Sequence, residues 1–133
     1  MARFHMEKPI EANKYYRHRL AENSSDPLEL GSLAGDKVGE VRKEVAQNPS
    51  TLASTLEKLA GDEDKQVRRY VALNPNTSVL LLEKLAGDED KQVRRDIARN
   101  PNTPVSLLEK LAGDKDGDVR DAVAVHYACM FGA

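Results

Sequence analysis

The chain has 133 residues, of which 40% are hydrophobic and 32% charged, a balance that fits one soluble globular or solenoid domain and excludes a disordered polypeptide. Its net charge of −2 supplies no global field toward nucleic acid or lipid, so electrostatic recognition has to come from a local patch. A single cysteine, Cys129, excludes an internal disulfide and every CxxC pattern for zinc or an iron–sulfur cluster.

Aromatic residues are only 5% of the chain, with no Trp, which points to a core tiled from Leu, Val and Ala in thin layers. The opening MARFHMEKPIEANKYY has no apolar run of the signal-peptide kind, and no stretch reaches the length of a membrane span. A cytoplasmic protein is expected.

Along the chain, residues 1–29 read as an N-terminal cap holding a degenerate half-repeat. Within it KYYRHRLAENSSDP, from Lys14, follows KQVRRYVALNPNTS, from Lys65, with Arg17 for Arg68, Leu20 for Val71 and Asn23 for Asn74. Residues 30–126 then divide into four copies. LGSLAGDKVGEVRKEVAQNP opens at Leu30, LEKLAGDEDKQVRRYVALNP at Leu56, LEKLAGDEDKQVRRDIARNP at Leu82 and LEKLAGDKDGDVRDAVAVHY at Leu108. The starts 30, 56, 82 and 108 are 26 apart, a period that signals stacked supersecondary units. Residues 127–133 form an apolar C-terminal cap segment.

Each unit predicts two short helices. Thr103 before Pro104 reads as an N-cap followed by a proline at the first helical position. Val105, Leu108, Leu111 and Ala112 give an apolar stripe, and Gly113 ends it as glycine does past a helix C-terminus. The acids of GDED sit where the next helix dipole favours them. That helix runs through KQVRRYVAL and stops at Asn74-Pro75, because proline disfavours helix in the residue before it. Both helices are near the lower limit of stability, which leaves room for one to be a 3₁₀ turn.

At 100° per residue, Val67, Val71 and Ala72 fall on one side of the second helix with Arg68 at its edge. Gln66, Arg69, Tyr70 and Leu73 fall opposite, so Arg68 points to the packed layer and Arg69 to solvent. Asp36 and Arg42, Asp62 and Arg68, Asp88 and Arg94, and Asp114 and Arg120 are all six apart. An inward-edge arginine needs a partner, and the acid of its own or an adjacent unit would build a structural ladder. An arginine row that binds phosphate is the functional alternative. Asn48, Asn74 and Asn100 recur before proline, where a side-chain amide can satisfy backbone groups locally or in the next turn.

The pattern LxxLAGDxDxxVRxxVAxNPxTP at Leu82–Pro104 resembles the variant leucine-rich repeat (LRV) and is close to short HEAT-like repeats. The resemblance covers Leu30 to Val125, with a weaker extension to Lys14. It implies an all-α, right-handed solenoid in which an α-helix and a 3₁₀ helix alternate. Some relatives carry a cysteine-rich cluster-binding segment. No such cysteines occur here, so no cofactor is expected. The final copy departs from the pattern, with Val125-His126 in place of Asn-Pro.

Identical copies indicate scaffold, and information about partners should lie where the copies differ. The outward set reads Glu40, Lys43, Glu44, Gln47, then Gln66, Arg69, Tyr70, Leu73, then Gln92, Arg95, Asp96, Arg99, then Asp118, Asp121, Ala122, Val125. Tyr70 and Leu73 are helix neighbours, an apolar anchor flanked by Arg69, Arg95 and Arg99. The expected partner-binding residues are Lys43, Gln47, Arg69, Tyr70, Leu73, Arg95, Asp96 and Arg99. The nearly uncharged AVAVHYACMFGA, from Ala122, either caps the last unit or meets a second copy, giving a monomer or a weak homodimer.

Catalytic and metal-binding patterns are missing. His5, His18 and His126 are scattered, and the repeated acids of Asp62–Asp64 and Asp88–Asp90 lack the spacing of an EF-hand. An enzyme on HEAT-like helices would need a cleft with an acid and aromatics. The expected function is a non-catalytic scaffold for protein–protein interaction, with no metal and no membrane contact. The alternative is nucleic-acid binding through Arg69, Arg95, Arg99 and Lys43.

Overall fold

A computed structural model describes residues 13–132; residues 1–12, which include His5 and the start of the expected N-terminal cap, and Ala133 lie outside the described part. The described residues contain helices and no strand. In chain order these are α1 (Lys14–Asn23), α2 (Pro27–Leu33), α3 (Gly39–Gln47), α4 (Ala53–Leu59), α5 (Lys65–Leu73), α6 (Val79–Leu85), α7 (Lys91–Arg99), α8 (Val105–Leu111) and α9 (Gly117–Met130). The longer helices α3, α5, α7 and α9 start at 39, 65, 91 and 117, again 26 apart.

Local chemistry sets the helix ends. Asp64, Asp90 and Asp116 cap α5, α7 and α9, each accepting backbone N–H groups of the first turn. Asn48, Asn74 and Asn100 end α3, α5 and α7 in extended backbone ahead of a proline. Tyr127 stands where that proline would be, so α9 runs on to Met130.

The other helix of each pair is a seven-residue α-helix, not the 3₁₀ helix that the resemblance implies. Its end does tighten: Gly61 and Asp62 donate to Lys58 O and Leu59 O, three residues back. Gly113 sits just past α8, yet only Gly132 has positive φ among the described residues. Thr103 is not the cap of α8. Pro104 holds that position without a side-chain bond, and the Thr103 hydroxyl donates back to Ile97 O at 2.6 Å. Thr51 and Thr77 do the same to Val45 O and Val71 O.

Helices α1, α3, α5, α7 and α9 stack side by side in one layer, and each short helix packs on the long helix of its pair, giving an α-solenoid. The core repeats with the sequence. Leu30, Leu33, Val41 and Val45 are buried, as are Leu56, Leu59, Val67 and Val71 and their equivalents in the later pairs. Each fully buried aliphatic side chain contributes about 1.5–3 kcal/mol, an upper estimate because unfolded chains are not fully extended. No described helix is long and apolar enough to cross a membrane.

Two hydrogen-bonded series tie the layer together. Arg42 donates Nε to Asp62 Oδ2 at 2.7 Å and Nη2 to Asp62 Oδ1 at 3.2 Å, while Nη1 donates to Asp36 O at 2.8 Å. Arg68 bridges Asp88 and Asp62 O in the same way, and Arg94 bridges Asp114 and Asp88 O. Of the two sources left open by sequence, the acid comes from the next unit and the carbonyl from the arginine's own. Arg17 pairs with Asp36 at 2.6 Å and extends the series backward. Arg120 reaches Asp114 O only and pairs with no acid among the described residues.

The second series points the other way. Asn74 Nδ2 donates to Ala46 O and Asn48 O of the preceding unit, and Asn74 Oδ1 accepts from Asn76 N. Asn48 and Asn100 repeat this one unit earlier and later. His126, and not Val125, occupies the asparagine position in α9, where Nδ1 donates to Ala98 O at 2.8 Å. The ring thus replaces the amide, and regular stacking continues through the departure in sequence.

Candidate interaction face

The outward side chains of α3, α5 and α7 bring most of the expected partner-binding residues onto one surface. Gln47 and Arg99 are exposed, and Lys43, Arg69, Tyr70, Leu73 and Arg95 are half-buried. Lys43 Nζ lies 5.9 Å from the centre of the Tyr70 ring, one unit across, a cation–π contact. Glu40 bonds to the same ammonium at 3.1 Å and holds it above its ordinary pKa range.

Asp96 contradicts the expectation of an exposed contact. It is 0% exposed. The wheel that placed it outward treats the helix as isolated. In the stack, the position shared by Glu44, Tyr70, Asp96 and Ala122 faces sideways, across the seam to the preceding long helix. There Arg69 Nε donates to Asp96 Oδ2 at 2.8 Å. Arg69 is therefore not directed into solvent either; its side chain is 22% exposed. Both arginines of the "VRR" motif are bound, Arg68 to the ladder acid and Arg69 to Asp96.

Two further cations crowd the same carboxylate. Arg99 Nη1 is 3.7 Å and Arg95 Nε 3.9 Å from Asp96 Oδ1. Neither distance is a hydrogen bond, and both Asp96 Oδ1 and Arg95 Nε are buried without a hydrogen-bond partner. One carboxylate thus lies beneath three guanidiniums, leaving a local surplus of two positive charges. Acids bound this patch on both sides: Glu40 and Glu44 on α3, Asp118 and Asp121 on α9.

The last turn of α9 offers a different surface. Tyr127 is half-buried against the core and stacks on Phe131 at 6.0 Å, while Met130 and Phe131 are exposed. Cys129 is exposed beside them. Among the described residues no group of three His, Cys, Asp or Glu side chains is placed to hold a metal ion.

Sequence reasoning missed His126 as a member of the asparagine series and the hydroxyl bonds that Thr51, Thr77 and Thr103 make within their own units. Their signal was available, since Thr51, Thr77 and Thr103 recur at the 26-residue period and His126 lies 26 after Asn100.

Residues 66–90, which span most of α5, the Asn-Pro turn, α6 and the acidic loop after it, match the family model Leucine rich repeat variant. The helical repeat that this match implies is the architecture of the described chain. No curated protein matches the sequence.

Proposed function

We propose that this protein is a non-catalytic repeat scaffold that docks a protein partner on the outward face of α3, α5 and α7. One observation carries the reading. The buried apolar residues and the arginines, acids and asparagines of the two bonded series recur from unit to unit, whereas two outward-row positions differ in every unit: Glu44, Tyr70, Asp96, Ala122 and Gln47, Leu73, Arg99, Val125. A repeated rung fixes the spacing of the helices, and a changing row on a fixed frame can specify one partner.

Tyr70 and Leu73 form the centre of the face, with Lys43 on one side and Arg95 and Arg99 on the other. Aromatic and arginine side chains that are partly pre-packed lose little freedom on docking and are favoured as interface anchors. Asp96 is part of the face through the arginines it holds, not as a contact. A cytoplasmic setting belongs to the same reading, supported by the single exposed thiol.

The test is capture from nuclease-treated cell extract with paired baits, the parent and a Tyr70→Ala/Leu73→Ala/Arg99→Ala variant of matched thermal stability. A protein held by the parent and lost by the variant is expected. Equal retention by both baits would refute the face.

A further inference from the structure

We infer that the segment docked on this face is acidic, its carboxylates taken by Arg95 and Arg99, with Asp96 acting beneath them as a positioning residue. The inference rests on the docking face proposed above and assigns its chemistry.

Arg42, Arg68 and Arg94 each donate at least three hydrogen bonds within the protein. Arg69 donates to Asp96 and to Gln66. Arg95 and Arg99 donate none among the described residues, although their side chains are only 29% and 56% exposed. They are four residues apart on α7, so they rise from one face of the helix. Asp121, one unit beyond Arg95, forms no ion pair with it. Neither guanidinium therefore spends a hydrogen bond within the protein, and with Arg95 Nε buried the Nη groups are left to meet a carboxylate.

Asp96 accounts for why they stay together. Two like charges on successive turns repel, and a buried carboxylate between them offsets that repulsion. Asp96 binds Arg69 through Oδ2 and leaves Oδ1 without a hydrogen bond, below Arg95 and Arg99. It attracts Arg95 through Nε and Arg99 through Nη1 without taking a hydrogen bond from either. The neighbouring Tyr70 and Leu73 add an apolar contact, so the fitting segment carries acidic side chains next to an apolar one.

A peptide fits better than a nucleic acid. From Arg95 and Arg99, a phosphate backbone running along the stack would meet Glu40 and Glu44 two units away on one side and Asp118 and Asp121 one unit away on the other. Nucleic-acid affinity rests on several phosphate contacts, and only two free guanidiniums are offered. A short acidic segment needs only this one point.

The experiment is fluorescence anisotropy of the full chain with three labelled probes: an oligo-glutamate peptide, the same length of oligo-glutamine, and a single-stranded oligonucleotide of equal formal charge. Binding of oligo-glutamate alone is expected. Arg99→Gln should weaken it about tenfold or more, while Lys84→Gln, an equal charge loss on a short helix, should leave it unchanged. Asp96→Asn removes a negative charge and would strengthen a purely electrostatic attraction, so weakening by this variant marks the positioning role and strengthening overturns it. Equal binding of oligo-glutamine, no binding of oligo-glutamate, or an equal effect of Lys84→Gln would overturn the acidic partner. Tighter binding of the oligonucleotide would replace it with a phosphate ligand. If oligo-glutamate fails while the triple-variant bait still loses its captured protein, the docking face stands and only its assigned chemistry falls.

Discussion

Arg94 and Asp114 belong to successive repeats and form a two-pronged pair, with Nε to Oδ2 at 2.8 Å and Nη2 to Oδ1 at 3.2 Å. The same guanidinium donates Nη1 to Asp88 O at 2.9 Å, so one side chain closes the joint between two units. Removing one member of a buried pair leaves an uncompensated charge and costs about 3–5 kcal/mol.

Arg94→Ala should therefore destabilise by about 3 kcal/mol. Arg120→Ala, at the equivalent position, should cost about 1 kcal/mol or less, because Arg120 is exposed and meets no acid. Arg95→Ala should also fall well below Arg94→Ala, since Arg95 gives up no hydrogen bond. Urea unfolding of the three variants checks the order. Equal midpoints for Arg94→Ala and Arg120→Ala would show that the pairing contributes nothing.

Acid should open the same joint. The hydrogen bond from Arg94 holds the Asp114 carboxyl below its ordinary pKa. A carboxylate depressed on folding stabilises the native state above its unfolded pKa, about 3.9, and that contribution is lost as pH falls through the lower native value. Stability should thus decline below about pH 4, and Arg94→Ala should show a smaller decline over that range. Superimposable acid profiles for parent and variant would contradict the assignment.

At the seam, the two members of one pair should differ in their cost. Arg69→Ala takes away the guanidinium hydrogen bond of a fully buried carboxylate, leaving only the longer approaches of Arg95 and Arg99, and should cost about 3 kcal/mol. Asp96→Ala removes the buried charge itself, and the next unit already accommodates Ala122 at that position. It should be the milder change, and Arg69→Ala/Asp96→Ala should be more stable than Arg69→Ala alone. Thermal melts of the three proteins decide this.

His126 should behave as a substitute for asparagine. His126→Ala should cost about 1 kcal/mol through loss of the bond to Ala98 O. His126→Asn should retain most of the parent stability, since an amide at this position reaches the equivalent carbonyl in the two preceding units. Equal losses for both variants would mean that the ring is held by packing alone.

The repeat period, the helix pairs and the core positions were legible because apolar side chains recur at helical spacing and the copies are nearly identical. Partner direction along the ladder was not. An arginine six residues after one acid lies twenty before the next, and sequence spacing does not choose between them. Asp96 was misplaced because a helical wheel has two faces, whereas a stacked helix has lateral neighbours that bury its flanks. Thr103 looked like a cap because it precedes proline, and its bond to Ile97 O depends on the backbone doubling back after Asn100. The length of α9 follows from one residue, Tyr127, whose backbone N–H permits a helix that proline would stop.

The most direct measurement is hydroxyl-radical footprinting of the protein with its captured partner. Tyr70 and Leu73 should lose reactivity in the complex, while Leu28 and Leu80, exposed on the short helices, should keep theirs. Protection of Leu28 and Leu80 with Tyr70 and Leu73 unchanged would place recognition on the opposite layer and contradict the account.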